Sequence, residues 1–474
     1  MKVPLSGSAY TARSVIASAQ RSVNLYGEHN PEDAPYPATY YPTPGITTIA
    51  TAPVTGWRCL YTATSGAVFG VVNTMVYQIN SDFSLTYIGF IGSPAGPVSM
   101  VDNGISLLIV DGSSSGWVYD MFAKTFIVIN SLNNFYGADR VDLVDGFFIL
   151  NRTLSNQWYI SNFLSATFDP LDFAAKTGFS DNVVAVAAAK RQVFVFGTFT
   201  TEVWYNSGAA AFPFARMPGA FIQFGCAAPS TVQQIDGSIY WLARSPSGGV
   251  LVMRTENYDR ARLSTFAIEK EFQSYGYITD AQAYIYQQDG HAFYVISFPT
   301  ANKTWVFDIA TNEWHERVWH DTSGNENRQR QCCHAIMDGY KHIVGDWQTG
   351  QLYLMDNNTY TDDGAPVRRI RSFPHLLSDG DRVMYRTLIA DMEVGRGVPS
   401  STEAPEIRLR WSDTRGISWG NYVSQDLGPT GDFLTCVQFQ RLGMARDRVF
   451  ELSWSGNCKT ALSGAFIDAQ PASS

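Results

Sequence analysis

Short apolar runs broken by turn residues, rather than helical spacing, dominate this chain. The sharpest example is Thr304 to Val318, TWVFDIATNEWHERV. Trp305-Val306-Phe307 is aromatic and β-branched, which suits a buried pleated surface. Asp308 ends the run, Ala310-Thr311-Asn312 supplies turn chemistry, and Trp314 begins a return strand. Trp117 to Phe126, WVYDMFAKTF, repeats the arrangement, and weaker copies sit at Val76-Gln78, Trp158-Ile160, Val203-Tyr205, Val250-Val252 and Leu352-Leu354. A second marker keeps step about 10 to 17 positions upstream, a two-residue turn of the kind that joins hairpins. Its members are Ser65-Gly66, Asn103-Gly104, Asp145-Gly146, Lys190-Arg191, Asp236-Gly237, Asp289-Gly290 and Asp338-Gly339, with Lys190-Arg191 the one poor match to Asx-Gly. The two markers recur together roughly every 40 to 55 residues, about seven times, which is the period of a β-propeller blade.

The predicted fold is therefore all-β: a propeller of about seven four-stranded blades, an extended N-terminal arm and a C-terminal β-sandwich-like domain. The divisions expected are 1–50 for the arm, 51–360 for the propeller and 361–474 for the C-terminal domain. The arm carries Pro31, Pro35, Pro37, Pro42 and Pro44, a density that prevents a regular ladder. It therefore needs a surface to lie on, either the propeller or a neighbouring subunit. Gly45 to Thr51, GITTIAT, reads as a strand that closes the ring. Blades begin at Trp57, Val98, Val141, Val183, Val232, Ile278 and Cys333, and the fourth strand of the third is obscured in the Pro-broken segment Phe163 to Phe179. One helix is expected, Arg262 to Gly276, with Ser264 or Thr265 as N-cap, Ile268, Phe272 and Tyr275 on one face, and Gly276 past its end. The periodicity stops after Asn357. Beyond Asp362-Asp363-Gly364-Ala365-Pro366, strands are expected at Arg382-Glu393, Glu406-Trp411, Leu434-Leu442 and Arg448-Trp454.

Composition sharpens this. At 474 residues the chain exceeds one ordinary domain unless that domain is a repeat array. Charged residues make up only 16%, so much of the surface is either covered by neighbours or built from small polar residues. The net charge of −9 argues against a protein that grips nucleic acid through a basic stripe; Arg368, Arg369 and Arg371 are the only visible cluster. Six Cys are too few for a disulfide framework and are expected as mostly buried thiols of a protein made in the cytosol. The N-terminus lacks the apolar run of a signal peptide, and no segment approaches a membrane span.

Candidate chemistry is thin. Trp411 to Trp419, WSDTRGISW, resembles the Asp-box turn of sialidase-like propellers: Ser412, Gly416, Ser418 and Trp419 fit, Thr414 stands where the key Asp belongs, and Asp413 comes one place early. That turn is a brace in which side-chain oxygens bond the backbone and a Trp packs beneath. His315-Glu316 with His320 is one residue too long for a helical zinc motif, and an offset of five on a strand puts the two His on opposite faces. Around Asp338-Gly339 a two-residue turn would put Cys332 and His334 on one face and Cys333 and His342 on the other, so four zinc ligands would not converge. No phosphate-binding Gly-Lys-Ser/Thr loop and no Gly-x-Ser-x-Gly elbow occurs. No catalytic residue, metal or cofactor is assigned.

Arg408-Leu-Arg-Trp-Ser-Asp413, Gly416-Ile-Ser-Trp419, Gln425-Asp-Leu-Gly428 and Arg441-Leu-Gly443-Met-Ala-Arg446-Asp-Arg-Val-Phe450 together resemble the tail-hub, or packaged-DNA stabilisation, proteins of short-tailed bacteriophages (podoviruses). Asn24-Leu-Tyr-Gly-Glu28 followed by Pro42-Thr-Pro-Gly45 is similar to their N-terminal arm, and Ser264-Thr-x-Ala-Ile-Glu269 to a central stretch. The resemblance implies a non-enzymatic structural protein of the virion tail, made in the bacterial host cytoplasm. It would form a ring of copies of itself, expected as a hexamer, that joins the portal-adaptor connector to tail fibre, spike or distal nozzle proteins. That ring would continue the DNA channel and help retain packaged DNA, without sequence-specific binding and without membrane insertion. Contact residues expected on this reading are Tyr26, Pro31, Pro35, Pro42 and Pro44 in the arm and Arg262, Glu269 and Phe272 in the helix; Ser412, Asp413, Gly416 and Trp419 are expected to build the brace. The alternative is a carbohydrate-binding or sialidase-like glycan-hydrolysing propeller.

Overall fold

Seven antiparallel sheets stand around one axis, each a meander whose first strand lies at the centre and whose last lies at the rim. The computed structural model describes residues 2–3, 10–256, 259–378, 380–396, 405–428 and 431–472. The innermost strands are Trp57–Thr62, Ser99–Asp102, Val141–Val144, Val183–Ala189, Gln233–Ile235, Gln282–Gln288 and Gln331–Met337. In the fifth blade the inner edge is split, with Gly225–Cys226 and Gln233–Ile235 both pairing with Ser238–Arg244 around a single 3-10 turn at Pro229–Thr231. The third blade gains its fourth strand at Phe173–Ala175, the stretch that prolines obscured in the sequence.

A propeller works only if every blade buries both faces, and the cores show this. One apolar cluster fills each space between neighbours, from Phe69, Met100 and Trp117 between blades 1 and 2 around to Trp57, Cys333 and Ile343 between blades 7 and 1. Middle strands therefore read as unbroken apolar runs; all of Val68–Val72 is buried. Ring closure falls to the N-terminal segment. Gly45–Thr51 pairs antiparallel with Gln351–Asp356 as the fourth strand of blade 7, the closing strand expected from GITTIAT, and the short strands Thr361–Asp362 and Ala365–Pro366 continue the sheet beyond it.

Several inter-strand turns follow the predicted chemistry, while Ser65-Gly66 and Asn103-Gly104 sit in longer loops with a positive φ only at the glycine. Asp145-Gly146, Asp236-Gly237 and Asp289-Gly290 all hold two consecutive positive φ angles, as a type I′ turn needs. Lys190-Arg191 does the same without a glycine, at φ 49° and 63°. Its strain is offset by position: Arg191 Nε donates to Asp145 Oδ1 at 2.8 Å, tying the turn of blade 4 to that of blade 3. Asp338-Gly339 differs. Met337 faces Lys341, so the loop holds three residues and Tyr340 belongs to it. The register moves by one, which swaps faces. His334 and His342, expected on opposite faces, now share one and hydrogen-bond at 3.0 Å.

Residues 369–472 carry a second unit, a β-sandwich with its own apolar core around Leu388, Leu409, Phe439 and Leu452. One of its sheets runs in the order Leu25–His29, Ala38–Pro42, Ala461–Pro471, Val383–Glu393, Val437–Ala445. The other runs Arg369–Ser372, Asp447–Ser455, Glu406–Ser412, Val423–Asp426. The segment read as an extended arm is thus strand-paired at Lys2–Val3, Arg21–Val23, Leu25–His29, Ala38–Pro42 and Gly45–Thr51. Arg21–Val23 lies between the propeller and the sandwich, parallel to the rim strand of blade 6 at Val23 and Glu316, and antiparallel to Arg369–Ser372. One ten-stranded sheet therefore passes without a break from blade 6 into the sandwich.

Candidate assembly surfaces

Three places concentrate polar chemistry. The first is the propeller axis. Inner strands are cross-linked by side chains: Tyr61 Oη donates to Asp102 at 2.8 Å, Ala188 N to Asp142 at 2.8 Å, Gln233 Nε2 to Ala283 O at 2.7 Å, and Thr62 Oγ1 to Ile336 O at 2.7 Å. What remains of the axis is a cavity of about 110 Å³ walled by Arg58, Cys59, Arg140, Tyr284, Cys332 and His334 among others. A water occupies about 30 Å³, so this is room for a few waters. Burial lowers the pKa of Arg140, and burial raises the pKa of Asp142, against the opposing pull of Arg140. Burial, reinforced by Cys332, pushes the Cys59 thiol up to about 12, so it is an unreactive packing group. Duplex DNA, whose major groove alone is about 12 Å wide, does not fit through this axis.

The second is the flank where the arm locks propeller to sandwich. Arg21 forms a bidentate pair with Glu316 at 2.8 Å and reaches Glu326 at 2.6 Å. Asn24, with φ at 54°, donates through Nδ2 to Val318 O at 2.9 Å and Arg368 O at 2.8 Å, and its Oδ1 accepts from Val318 N at 3.0 Å. One amide thus pins three chain segments separated by hundreds of positions. The fully buried Arg371 guanidinium lies 4.5 Å from the Tyr40 ring centroid and donates to Gln20 Oε1 at 3.1 Å. His375 bridges Asp447 at 2.7 Å and the Val15 carbonyl at 2.8 Å.

The third is the turn at Ser412. Ser412 Oγ accepts from Thr414 N at 3.2 Å and Gly416 N at 2.8 Å, and Thr414 Oγ1 accepts from Ser418 N at 2.8 Å. Thr414 therefore does the bracing that an Asp would do. Asp413 faces away from the turn and takes both Nε and Nη2 of the buried Arg448, at 2.6 and 2.9 Å. Trp419 does not sit beneath the hairpin core; Arg410 lies 4.8 Å from its ring centroid, at a half-buried position. Gly416, at φ 88°, leaves room for the arm, since a Cβ there would come 2.7 Å from Ala19 Cβ.

The expected contact residues are placed as follows. Tyr26 is buried, edge-on to His291 and Phe293 at 5.1 and 5.4 Å, in the core between blades 6 and 7. Pro31 and Pro35 are exposed at the tip of the hairpin Leu25–His29/Ala38–Pro42, while Pro42 is buried and Pro44 half-buried. The helix α1 spans Phe266–Ser274, shorter than expected. Arg262 ends a rim strand instead, and Gly276 is not left-handed. Thr265 is the N-cap by position without a side-chain cap, because Ser264 Oγ accepts from Val252 N at 3.0 Å and donates to Glu269 at 2.8 Å. Arg262 chelates Glu269 at 2.6 and 2.5 Å. Phe272 is fully buried against Phe298, 4.8 Å between centroids, so the helix covers the space between blades 5 and 6. Among the described residues, no group of His, Cys, Asp and Glu is arranged to hold a metal, and no helix is long and apolar enough to cross a membrane. The strands Arg369–Ser372 and Ala461–Pro471 are not expected from the sequence; in ALSGAFIDAQP only Ile467 to Gln470 alternates, too short a signal for a strand of 11 residues.

These features define a seven-bladed β-propeller closed by an N-terminal strand and fastened to a β-sandwich, with its polar groups spent on bracing. The chain belongs to the phage stabilisation family described as Bacteriophage P22 Gp10, beta-propeller, whose model matches residues 1–360. No curated protein matches the sequence. Solved structures similar in fold include U3-55K, at 10% identity and TM-score 0.41 over 66% of this chain and 98% of that one. The N-terminal domain of Nup159 is similar at 9% identity and TM-score 0.41, over 70% of this chain and 98% of that one.

Proposed function

We propose that this phage packaged-DNA stabilisation protein is a tail-hub component: copies form a ring beneath the portal-adaptor connector, continue the DNA channel and carry distal tail parts. The observation that carries this reading, beside family membership, is the narrow axis, whose inner strands are cross-linked by side chains around a cavity of about 110 Å³. If DNA passes this protein, it passes a lumen between subunits, walled by outer faces of several copies, and each propeller serves as a rigid wall segment. The braced flank suits that mechanical role. A load on the sandwich is transmitted to blade 6 through a continuous hydrogen-bonded sheet rather than through a linker. A net charge of −9 suits a wall past which a polyanion slides without sticking. The test is a phage deleted for the chain. Its particles should package DNA and then lose it, measured as nuclease-sensitive genome; particles that keep their DNA through purification would sink the reading. Electron microscopy of wild-type tails should show the chain as a ring.

A further inference from the structure

Two arginines wall the axial cavity, and the fold treats them differently. The Arg58 guanidinium is spent on backbone, donating to the carbonyls of Asn73 at 2.8 Å, Ser93 at 2.6 Å, Ala95 at 2.8 Å and Gly96 at 2.7 Å. The Arg140 guanidinium makes no hydrogen bond and no ion pair among the described residues, and its Nε is buried without a partner. Arg140 stands just before Val141–Val144, the inner strand of blade 3. Burial lowers its pKa, while Asp142, Cys226, Cys59 and Tyr294 lie near enough to oppose that shift. These four belong to blades 3, 5, 1 and 6, so the charge sits close to the axis.

A guanidinium stays charged at any pH the fold survives, and a charge drawn out of water is costly unless something answers it. Neither nearby carboxylate does. Asp142 accepts from Leu143 N at Oδ1 and from Ala188 N at Oδ2, both at 2.8 Å, and forms no ion pair with Arg140. Asp139, in the cavity wall, has its Oδ2 held by Asn151 Nδ2 at 2.8 Å. Ser230 and Gln282, from blades 5 and 6, line the same cavity. Both are half-buried, and neither side chain is hydrogen-bonded among the described residues. They add a hydroxyl and an amide NH₂ to the unspent donors of the guanidinium.

Room and access agree with this. The cavity of about 110 Å³ is several times the ~30 Å³ share of one water, enough for an ion of several atoms. Arg140 is itself half-buried, so solvent reaches the space it faces. A cation is disfavoured there by the arginine charge, and among the described residues no group is arranged to hold a metal. The planar fork of a guanidinium offers two parallel N–H bonds to the oxygens of a tetrahedral anion. We infer that the axial cavity is a binding site for a small tetrahedral oxyanion, phosphate or sulfate, held by Arg140 with Ser230 and Gln282. The bound ion ties blade 3 to blades 5 and 6 through the centre of the propeller, adding to the side-chain bonds that already join inner strands there. The site belongs to the single chain and does not depend on ring assembly.

The test melts the full chain at constant ionic strength while sodium phosphate, or sodium sulfate, replaces sodium chloride. The wild type should gain about 2–4 °C in melting temperature, and the gain should saturate. Arg140→Met should not respond. Gln282→Ala should need roughly tenfold more phosphate for the same gain, the loss of one hydrogen bond to a charged group. Equilibrium dialysis of the wild type against radiolabelled phosphate should find one ion bound per chain. Should Arg140→Met fail to fold, dialysis of the wild type and of Gln282→Ala decides. A rise that is equal in the wild type and Arg140→Met is a general salt effect and overturns the site. So does saturable binding that both substitutions leave unchanged, which puts the ion elsewhere. Dialysis that finds no bound phosphate also overturns it, leaving water alone to solvate Arg140.

Discussion

The two sides of the propeller rim are finished differently. On blades 5 to 7 the chain's own segments add to the rim: α1 roofs the space between blades 5 and 6, Arg21–Val23 extends blade 6 into the sandwich, and Gly45–Thr51 completes blade 7, while the rim strand of blade 5 stays an exposed edge. On blades 1 to 3 the rim strands end in open water with apolar side chains exposed on both faces, as Ile127 and Val128 show. The covered side is held by contacts spanning some 300 positions, while the open side is held almost wholly by local hairpins. Covered edges should therefore matter for stability, and open edges for assembly.

That contrast can be broken in stages. The largest effect is expected from Ile46→Ala, in the closing strand and 1% exposed, at about 2–5 kcal/mol, read as a lowered denaturant midpoint. Asp413→Ala removes the partner of the buried Arg448; because Asp413 is 46% exposed and Arg448 keeps its bond to the Leu442 carbonyl, the cost should be about 2–4 kcal/mol, below that of breaking a fully buried pair. Arg21→Ala should cost less, about 1–3 kcal/mol, because Arg21 is partly solvated; it should release the sandwich to limited proteolysis before the propeller unfolds. Thr414→Ala, which removes the actual brace of the turn, should cost about 1 kcal/mol, well below Asp413→Ala; the reverse order would mean that the turn brace outweighs the Asp413–Arg448 pair. Val128→Ala on the open rim should change stability by less than about 0.5 kcal/mol while weakening association.

Acid should find the covered side first. Burial, with His342 alongside, holds His334 down to about 3, and burial lowers His315 and His320 as well. A histidine whose folded pKa lies below its ordinary 6.5 contributes fully above pH 6.5, and that stability is lost as pH falls from there toward 3. His291 works in the opposite sense: its hydrogen bond to Asp308 raises its pKa, so its contribution is full below 6.5 and lost as pH rises through the raised value. The lowered group is larger, so the unfolding free energy should fall between pH 7 and pH 4.5, by up to about 1.4 kcal/mol per pH unit for each such group, and the melting temperature with it. His334→Gln should flatten that slope, and an unchanged slope would exclude His334 as its source.

Repeat number, strand positions and most turns were legible in the sequence because each depends on a few neighbouring residues. An Asp-Gly needs only its own φ angles to make a tight hairpin, and Trp-Val-Phe needs only a pleated surface. Lys190-Arg191 shows the limit, since its double positive φ is supported by Asp145 from the blade before. The Asp338 loop shows another: one extra residue, Tyr340, reverses which side chains share a face, and composition does not reveal loop length.

By itself, then, the sequence determined the repeating unit, a count of about seven that the structure fixed at seven, and the strand that closes the circle, because hairpin signals are local and recur. Only the tertiary structure decided that the proline-rich arm becomes part of two other sheets, that Asn24 joins three distant segments, that Asp413 serves Arg448 rather than its own turn, and that the axis is narrow. Each of these depends on which groups meet across 30 to 340 intervening residues, and the partner of a buried polar group is fixed by folding rather than by the residues beside it.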